Sequence, residues 1–245
     1  MKFTQYYSSS EGNLYIVVAE NGERLMIECG VPWKKILPVL RFDLKGVVGC
    51  IISHSHSDHC RAVKDVLKAG IPVYGSLGTL DACGVFGERN ARPVVAFEPV
   101  KIGKSFAIKP YNAVHDAIEP YYYLIREQVG DKSEVMLFVT DTNNILQKFG
   151  IKFKIIAIEC SYDYEIVEKL VEGGGVNQRL GVRLMESHMA KDNCLKYLMA
   201  KCDLGKCEEV HLLHLSGGNI DKEKTRAEFE KELMVSVKIV EGAKI

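Results

Sequence analysis

The sequence predicts an α/β fold, a four-layer αββα sandwich, carried by a single domain over residues 1–245. Three observations predict it. Short apolar β-rich runs and helical patterns are mixed in both halves of the chain. The strands need cover on both sides, which helices on each flank provide. At 245 residues and 47% hydrophobic content, the chain can bury a sizeable core, and no Pro- or Ser-rich linker or repeat divides it.

The elements follow in order. Runs 14–19, 25–29 and 47–53 read as strands. Residues 58–69 read as one helix, with Ala62, Val63, Val66 and Leu67 on one face and Gly70 and Pro72 ending it. Runs 73–75 and 94–97 are further strands. Segments 106–115, 121–126 and 135–140 form a meander, with turns at 117–120 and 130–133. Another strand, 155–160, precedes a helix over 164–172. The glycines 173–175 stop that helix and begin a loop. Helices over 191–201 and 222–233 alternate with late strands at 210–215 and 235–240.

Charge and composition narrow the function. With 32 basic and 32 acidic residues the formal net charge is +0, against a long nucleic-acid footprint but compatible with a local basic patch. Arg61, Lys64, Arg89 and Arg92 could form such a patch, although a charge set of this kind on helix and loop surfaces is more often simply solvated. The first thirteen residues lack the apolar core of a signal peptide, and no run approaches a membrane span. The expectation is a soluble, cytoplasmic protein with no membrane partner. Of eight cysteines, Cys29, Cys50 and Cys160 sit in apolar runs, and Cys202 and Cys207 lack zinc-site spacing. All are expected to be reduced structural thiols.

The chemistry concentrates in His54-Ser55-His56-Ser57-Asp58-His59, which holds three of the seven histidines. The run follows an apolar strand and precedes a helix, where a pocket can open. His54 and His56, two apart, can point the same way from extended chain. Asp58 and His59 sit where the chain turns and can address a second ion. Imidazole and carboxylate together suit zinc, with manganese or iron compatible. Further ligand types stand at or near later strand ends: His115, Asp141 and His214. His211, three residues before His214, faces the other side of its strand and reads as structural.

In this order the residues resemble the ligand set of the metallo-β-lactamase superfamily, over nearly the whole chain. The resemblance implies that fold and two divalent metal ions, zinc or manganese above iron. It implies that His54, His56 and His115 bind one ion, that Asp58, His59 and His214 bind the other, and that Asp141 bridges them. His56, where flavodiiron reductases usually carry Glu, argues against oxygen reduction. The YycJ/WalJ exonuclease-like branch is a closer resemblance. It rests on Ser8-Ser9-Ser10-Glu11-Gly12-Asn13, His115-Asp116-Ala117 with Pro120, Thr140-Asp141-Thr142, Ser187-His188-Met189-Ala190, and His214-Leu215-Ser216 with Asn219. The branch more often has Gly at position 11 and an Asn-His-Asp run at 161–163.

By the same resemblance, which extends to tRNase Z, His188 matches a histidine that protonates the leaving oxygen of a phosphodiester, oriented by a carboxylate at Glu159. A surface or capping role is the plainer alternative for His188. Asp58, His188 and Glu159 are thus the expected catalytic groups. Ser9, Ser10, Asn13, Ser216 and Asn219 are expected to touch substrate phosphate. The resemblance implies a phosphodiesterase, acting on a DNA or RNA end as a 5′-exonuclease, with a hydroxide held between the metals as nucleophile. Only 46 residues separate Asp141 from His188, too few for the inserted domain of the β-CASP nucleases. Two other readings stay open: a small-molecule hydrolase of a cyclic phosphate, lactone or thioester, and a non-catalytic metal-bound binding domain. The sequence leaves the oligomeric state open.

Overall fold

A computed structural model describes residues 1–130, 132–175, 177–215 and 217–240. In chain order the elements are β1 (Lys2–Ser9), β2 (Gly12–Val18), β3 (Arg24–Ile27), α1 (Trp33–Val39), β4 (Val47–Ile51), α2 (Ser57–Cys60), α3 (Val63–Lys68), β5 (Val73–Gly75), α4 (Leu77–Ala82) and β6 (Ala91–Pro93). Then come β7 (Val100–Ile102), β8 (Phe106–Asn112), β9 (Tyr121–Val129), β10 (Lys132–Val139) and β11 (Ile155–Glu159). Helices α5 (Tyr164–Glu172), α6 (Gln178–Ser187) and α7 (Lys191–Lys201) precede β12 (Glu209–Leu213), α8 (Lys222–Leu233) and β13 (Ser236–Lys238). The strands fall into two sheets, β1–β6 and β7–β13. Two sheets with accompanying helices give the α/β class read from the sequence.

The chain forms two compact units. The first comprises Met1–Asn112 and Ala117–Val135; the second, Ala113–Asp116 and Met136–Ile239. In the first, β1, β2 and β3 pair antiparallel, and β3 to β6 pair parallel. Its core gathers Leu14, Ile16, Met26, Cys50, Ile52, Val66 and Val73, all buried. Each buried Leu, Ile, Met or Val among them contributes about 1.5–3 kcal/mol. The Tyr123 hydroxyl donates to the Ile52 carbonyl (2.7 Å), and the Tyr121 N–H to the Ser53 carbonyl (2.9 Å). These bonds from β9 fix the chain immediately ahead of the histidine run.

In the second unit, β10 to β13 pair parallel. All five residues of β11 are buried, including Glu159 at its C-terminal end. Parallel strands covered on both faces read as such unbroken apolar runs. Asp163 caps α5 and Asp221 caps α8, each side chain accepting a backbone N–H of the first turn.

Several elements differ from the sequence reading, which names nothing over β1, α1, α4 or β7. The single helix over 58–69 is two short helices. The Ala62 N–H bonds to the Cys29 carbonyl, and the Asp58 carbonyl takes the Asn13 amide instead. The helical ladder therefore breaks where the chain docks on residues 29–30. The expected strand 94–97 is replaced by β6, ending at Pro93, because Phe97 turns with φ +69°. Helix α6 has no counterpart in the sequence reading. Its N-cap, Asn177, accepts from the Arg179 N–H, but Gly181 interrupts its pattern. Among the described residues, no helix is long and apolar enough to cross a membrane.

Candidate functional site

In the first unit, the histidine run leaves the end of β4 and enters α2. His54 and His59 are buried, and His54 Nε2 lies 3.0 Å from His56 Nδ1. The other nitrogen of His54, Nδ1, is 2.9 Å from the Ser53 hydroxyl. His59 Nδ1 faces the fully buried Glu28, 3.5 Å away. A carboxylate there favours the tautomer with the proton on Nδ1, leaving the Nε2 lone pair for a metal. His59 Nε2 lies 3.2 Å from Asp58 Oδ2 and 3.1 Å from the Asn13 amide nitrogen. Burial pushes the Glu28 carboxyl pKa up, against the opposing charge of His59 and hydrogen bonds from His59 and Ser53.

Close packing enforces this arrangement. A Cβ on Gly30 would stand 1.6 Å from the Asp58 carbonyl oxygen, so only glycine lets the two backbones meet. Asn13, one of the expected phosphate contacts, is buried. Its amide donates to the Asp58 carbonyl (3.1 Å) and to Asp58 Oδ2 (3.3 Å), while the Tyr15 hydroxyl donates to its Oδ1 (2.9 Å). Asn13 thus braces the histidine run from within. Ser9 and Ser10 line a cavity beside Asp58.

In the second unit, His115 Nδ1–H donates to the Ser187 carbonyl (2.8 Å), which leaves the lone pair on Nε2. That Nε2 is 3.2 Å from Asp116 Oδ1 and 3.8 Å from Asp141 Oδ2. The other oxygen of Asp141, Oδ1, is 3.8 Å from His214 Nε2. Asp141 therefore turns a different oxygen toward each of the two rings, as a bridging carboxylate does. Asp141 and His214 both have left-handed backbones, with φ +40° and +56°. Such conformations cost about 1–3 kcal/mol each and cluster at functional sites. Arg183 donates to Asp116 Oδ2 through both Nε (2.8 Å) and a terminal nitrogen (2.7 Å).

Glu159 is the hub of this unit. It is fully buried, and its Oε1 accepts from the Ser161 hydroxyl and from His188 Nδ1, both at 2.6 Å. Its Oε2 accepts from the Thr142 N–H at 2.7 Å, one residue beyond Asp141. Ser161 Oγ also lies 3.3 Å from His214 Nδ1. With its proton committed to Glu159, Ser161 accepts from Nδ1–H and leaves His214 Nε2 bearing the lone pair. The His188 ring stacks on His214, with centroids 5.3 Å apart, and meets His115 edge-on at 5.1 Å. Burial alone would depress the His188 pKa. The charge and hydrogen bond of Glu159, followed by Asp141 and Asp116, overcome that and raise it to about 9.

The donor set fits divalent metal ions. Imidazole nitrogens with their second nitrogen held by a carboxylate, hydroxyl or carbonyl are presented beside carboxylates, the chemistry of zinc and manganese sites. In the second unit, Asp141, Glu159, His188 and His214 bring one ligand atom each within 4.8 Å of one another. The Asn219 carbonyl accepts from the Asp163 N–H (2.9 Å). Ser216 lies outside the described residues. His211 pairs with Glu209 (3.1 Å), two residues earlier on the same strand. Sequence reasoning missed Glu28, Ser53 and Ser161. A lone carboxylate in the apolar run 25–29 was the available signal for Glu28.

A family model for the metallo-beta-lactamase superfamily matches residues 10–80. The metallo-beta-lactamase fold protein YhfI from Bacillus subtilis superposes with a TM-score of 0.69 at 15% identity, covering 98% of this chain and 97% of that one. The chain has the metallo-β-lactamase fold. Zn(2+)-bound PqqB from Methylobacterium extorquens shares it at TM-score 0.71 and 11% identity, over 99% of this chain and 98% of that one. The short form of human tRNase Z does so at 0.65 and 13%, over 99% and 97%. Among curated protein sequences, none matches the chain.

Proposed function

We propose that the protein is a metallo-β-lactamase superfamily hydrolase that cleaves phosphodiesters with two divalent metal ions, acting on a DNA or RNA end as a 5′-exonuclease of the YycJ/WalJ type. The observation that carries the phosphodiesterase half is the grip of buried Glu159 on His188, 2.6 Å away, whose charge and hydrogen bond favour the protonated imidazole. A leaving alkoxide needs such a proton; a lactone or thioester hydrolase has less use for it. The ordered motif and the fold support a shared centre. In it His54, His56 and His115 hold one ion, Asp58, His59 and His214 hold the other, and Asp141 lies between. The two oxygens of Asp141, turned toward His115 and His214, support the bridging role.

Two ions, zinc or manganese, supply Lewis acidity and a water acidified toward neutral pH when bound. The chain's own residues do the rest. Glu28, Ser53, Ser161 and the Ser187 carbonyl fix the tautomers of His59, His54, His214 and His115. His188 holds a proton on its outer nitrogen for the leaving oxygen, while Glu159 holds the inner one. The eight cysteines are all free thiols, in keeping with work in the cytoplasm.

One activity panel tests the proposal. The full-length protein, with Mn²⁺ or Zn²⁺ added, is assayed on 5′-phosphorylated DNA, RNA, bis-p-nitrophenyl phosphate and a lactone, alongside His188→Ala. Phosphodiester turnover that falls about 100-fold in the variant is the expected result. Turnover of the lactone alone would refute the phosphodiesterase, and turnover indifferent to His188→Ala would refute its role as acid. A hydrolase of small cyclic phosphates is the second reading, favoured by the formal net charge of +0.

A further inference from the structure

Beside the histidine run, wholly within the first unit, lies a cavity of about 530 Å³ with Asp58 in its wall. Its volume falls in the range of small-ligand pockets. The β1–β2 hairpin supplies Ser9 and Ser10, α1 supplies Lys35, and the α2 region supplies Ser57 and Arg61. The wall is therefore rich in donors: three hydroxyls and two cations.

Neither Lys35 nor Arg61 has a carboxylate within ion-pair distance among the described residues. Lys35 Nζ instead sits over the Tyr7 ring, 5.7 Å from its centroid. An aromatic face holds an ammonium in place without neutralising it. Ser9 Oγ accepts from the Glu11 N–H (3.2 Å), which leaves its own proton to give. Two carboxylates, Asp58 and Glu11, also line the cavity. With Asp58 committed to metal, two cations stand against the one exposed carboxylate of Glu11.

A diester phosphate carries one charge and belongs at the metals. A monoester carries about −1.5 to −2 and three terminal oxygens, each seeking donors. We propose that this cavity takes the terminal phosphate monoester of the substrate, with Lys35 and Arg61 flanking it and Ser9, Ser10 and Ser57 donating to its oxygens. The assignment rests on the metal-ligand role proposed above for Asp58. It explains why an enzyme of this kind would work inward from a phosphorylated end.

The test is equilibrium binding by calorimetry on the full-length protein with chelator present, so that no turnover is needed. The probes are a 5′-phosphorylated dinucleotide, the same dinucleotide without that phosphate, ribose 5-phosphate and inorganic phosphate. The phosphorylated dinucleotide is expected to bind about tenfold tighter than its unphosphorylated partner, and more weakly as salt rises. Lys35→Ala/Arg61→Ala should erase that difference, and Glu11→Gln should widen it. Both cations are exposed, and thermal unfolding checks that the double variant stays folded; Glu11→Gln reports independently if it does not. Ribose 5-phosphate binding as tightly as the dinucleotide would keep the phosphate site and assign it to a small sugar phosphate. Equal binding of the two dinucleotides, or a narrowed difference in Glu11→Gln, overturns the proposal. A protein that discriminates the phosphate yet hydrolyses no phosphodiester would sink the proposed reaction and leave the cavity standing.

Discussion

Replacing Glu159 by Gln removes the charge that keeps His188 protonated. In the native protein the His188 pKa stands at about 9, against a desolvation effect that alone would carry it below its ordinary value. Asp141 and Asp116 still favour the imidazolium in the variant, so a fall of about two units is expected, about 3 kcal/mol of differential stabilisation. At pH 8.5 the protonated fraction then drops from about three-quarters to about 3%. Because the folded pKa is raised, the pair's contribution to stability is full below about pH 6.5 and is lost as pH rises through about 9. Glu159→Gln should flatten that loss. The assay is an NMR titration of the His188 ring in chelated protein, with urea unfolding at pH 6 and pH 9 beside it. A midpoint within half a unit of the native one, in a folded variant, would refute the electrostatic role given to Glu159.

Three further outcomes are expected. Glu28→Gln should weaken metal binding about 10–100-fold, measured by competition with a chromophoric chelator, because His59 loses the partner of its Nδ1. Gly30→Ala should destabilise the fold by about 3 kcal/mol or more and lower the bound metal content, since the new Cβ overlaps the Asp58 carbonyl. Arg183→Ala, which removes a guanidinium left 63% exposed, should change the unfolding free energy from urea titration by under about 1 kcal/mol.

Much of the fold was legible because its signals are local. Helices α5, α7 and α8 have the limits read from periodicity, and α5 and α8 carry Asp caps. The histidine run was visible because three imidazoles in six residues have no packing purpose. The break between α2 and α3 was not visible. It is imposed by Cys29 and Asn13, which take backbone groups of the run from outside it. Lys35 and Arg61 share a cavity wall only because α1 and α2 bring residues 26 positions apart together, and neither sequence neighbourhood announces it.

The positions hardest to read are those where the backbone departs from ordinary conformations. Glu28, Asp141 and His214 all have positive φ, at 61°, 40° and 56°. None is glycine, and each costs conformational energy that surrounding contacts must offset. The contacts that do so are hydrogen bonds to buried groups: Ser53 N–H to Glu28, Thr140 Oγ1 to Asp141, and His214 Nδ1–H to Ser161 Oγ. A local pattern encodes an intended ligand but not the strain that aims it. In this protein the aim comes from residues such as Ser53 and Ser161, whose types are common anywhere and whose importance depends on standing between a buried carboxylate and an imidazole. The expected metal ligands were therefore named one by one from the sequence, while the network that sets each ring's tautomer required the folded chain.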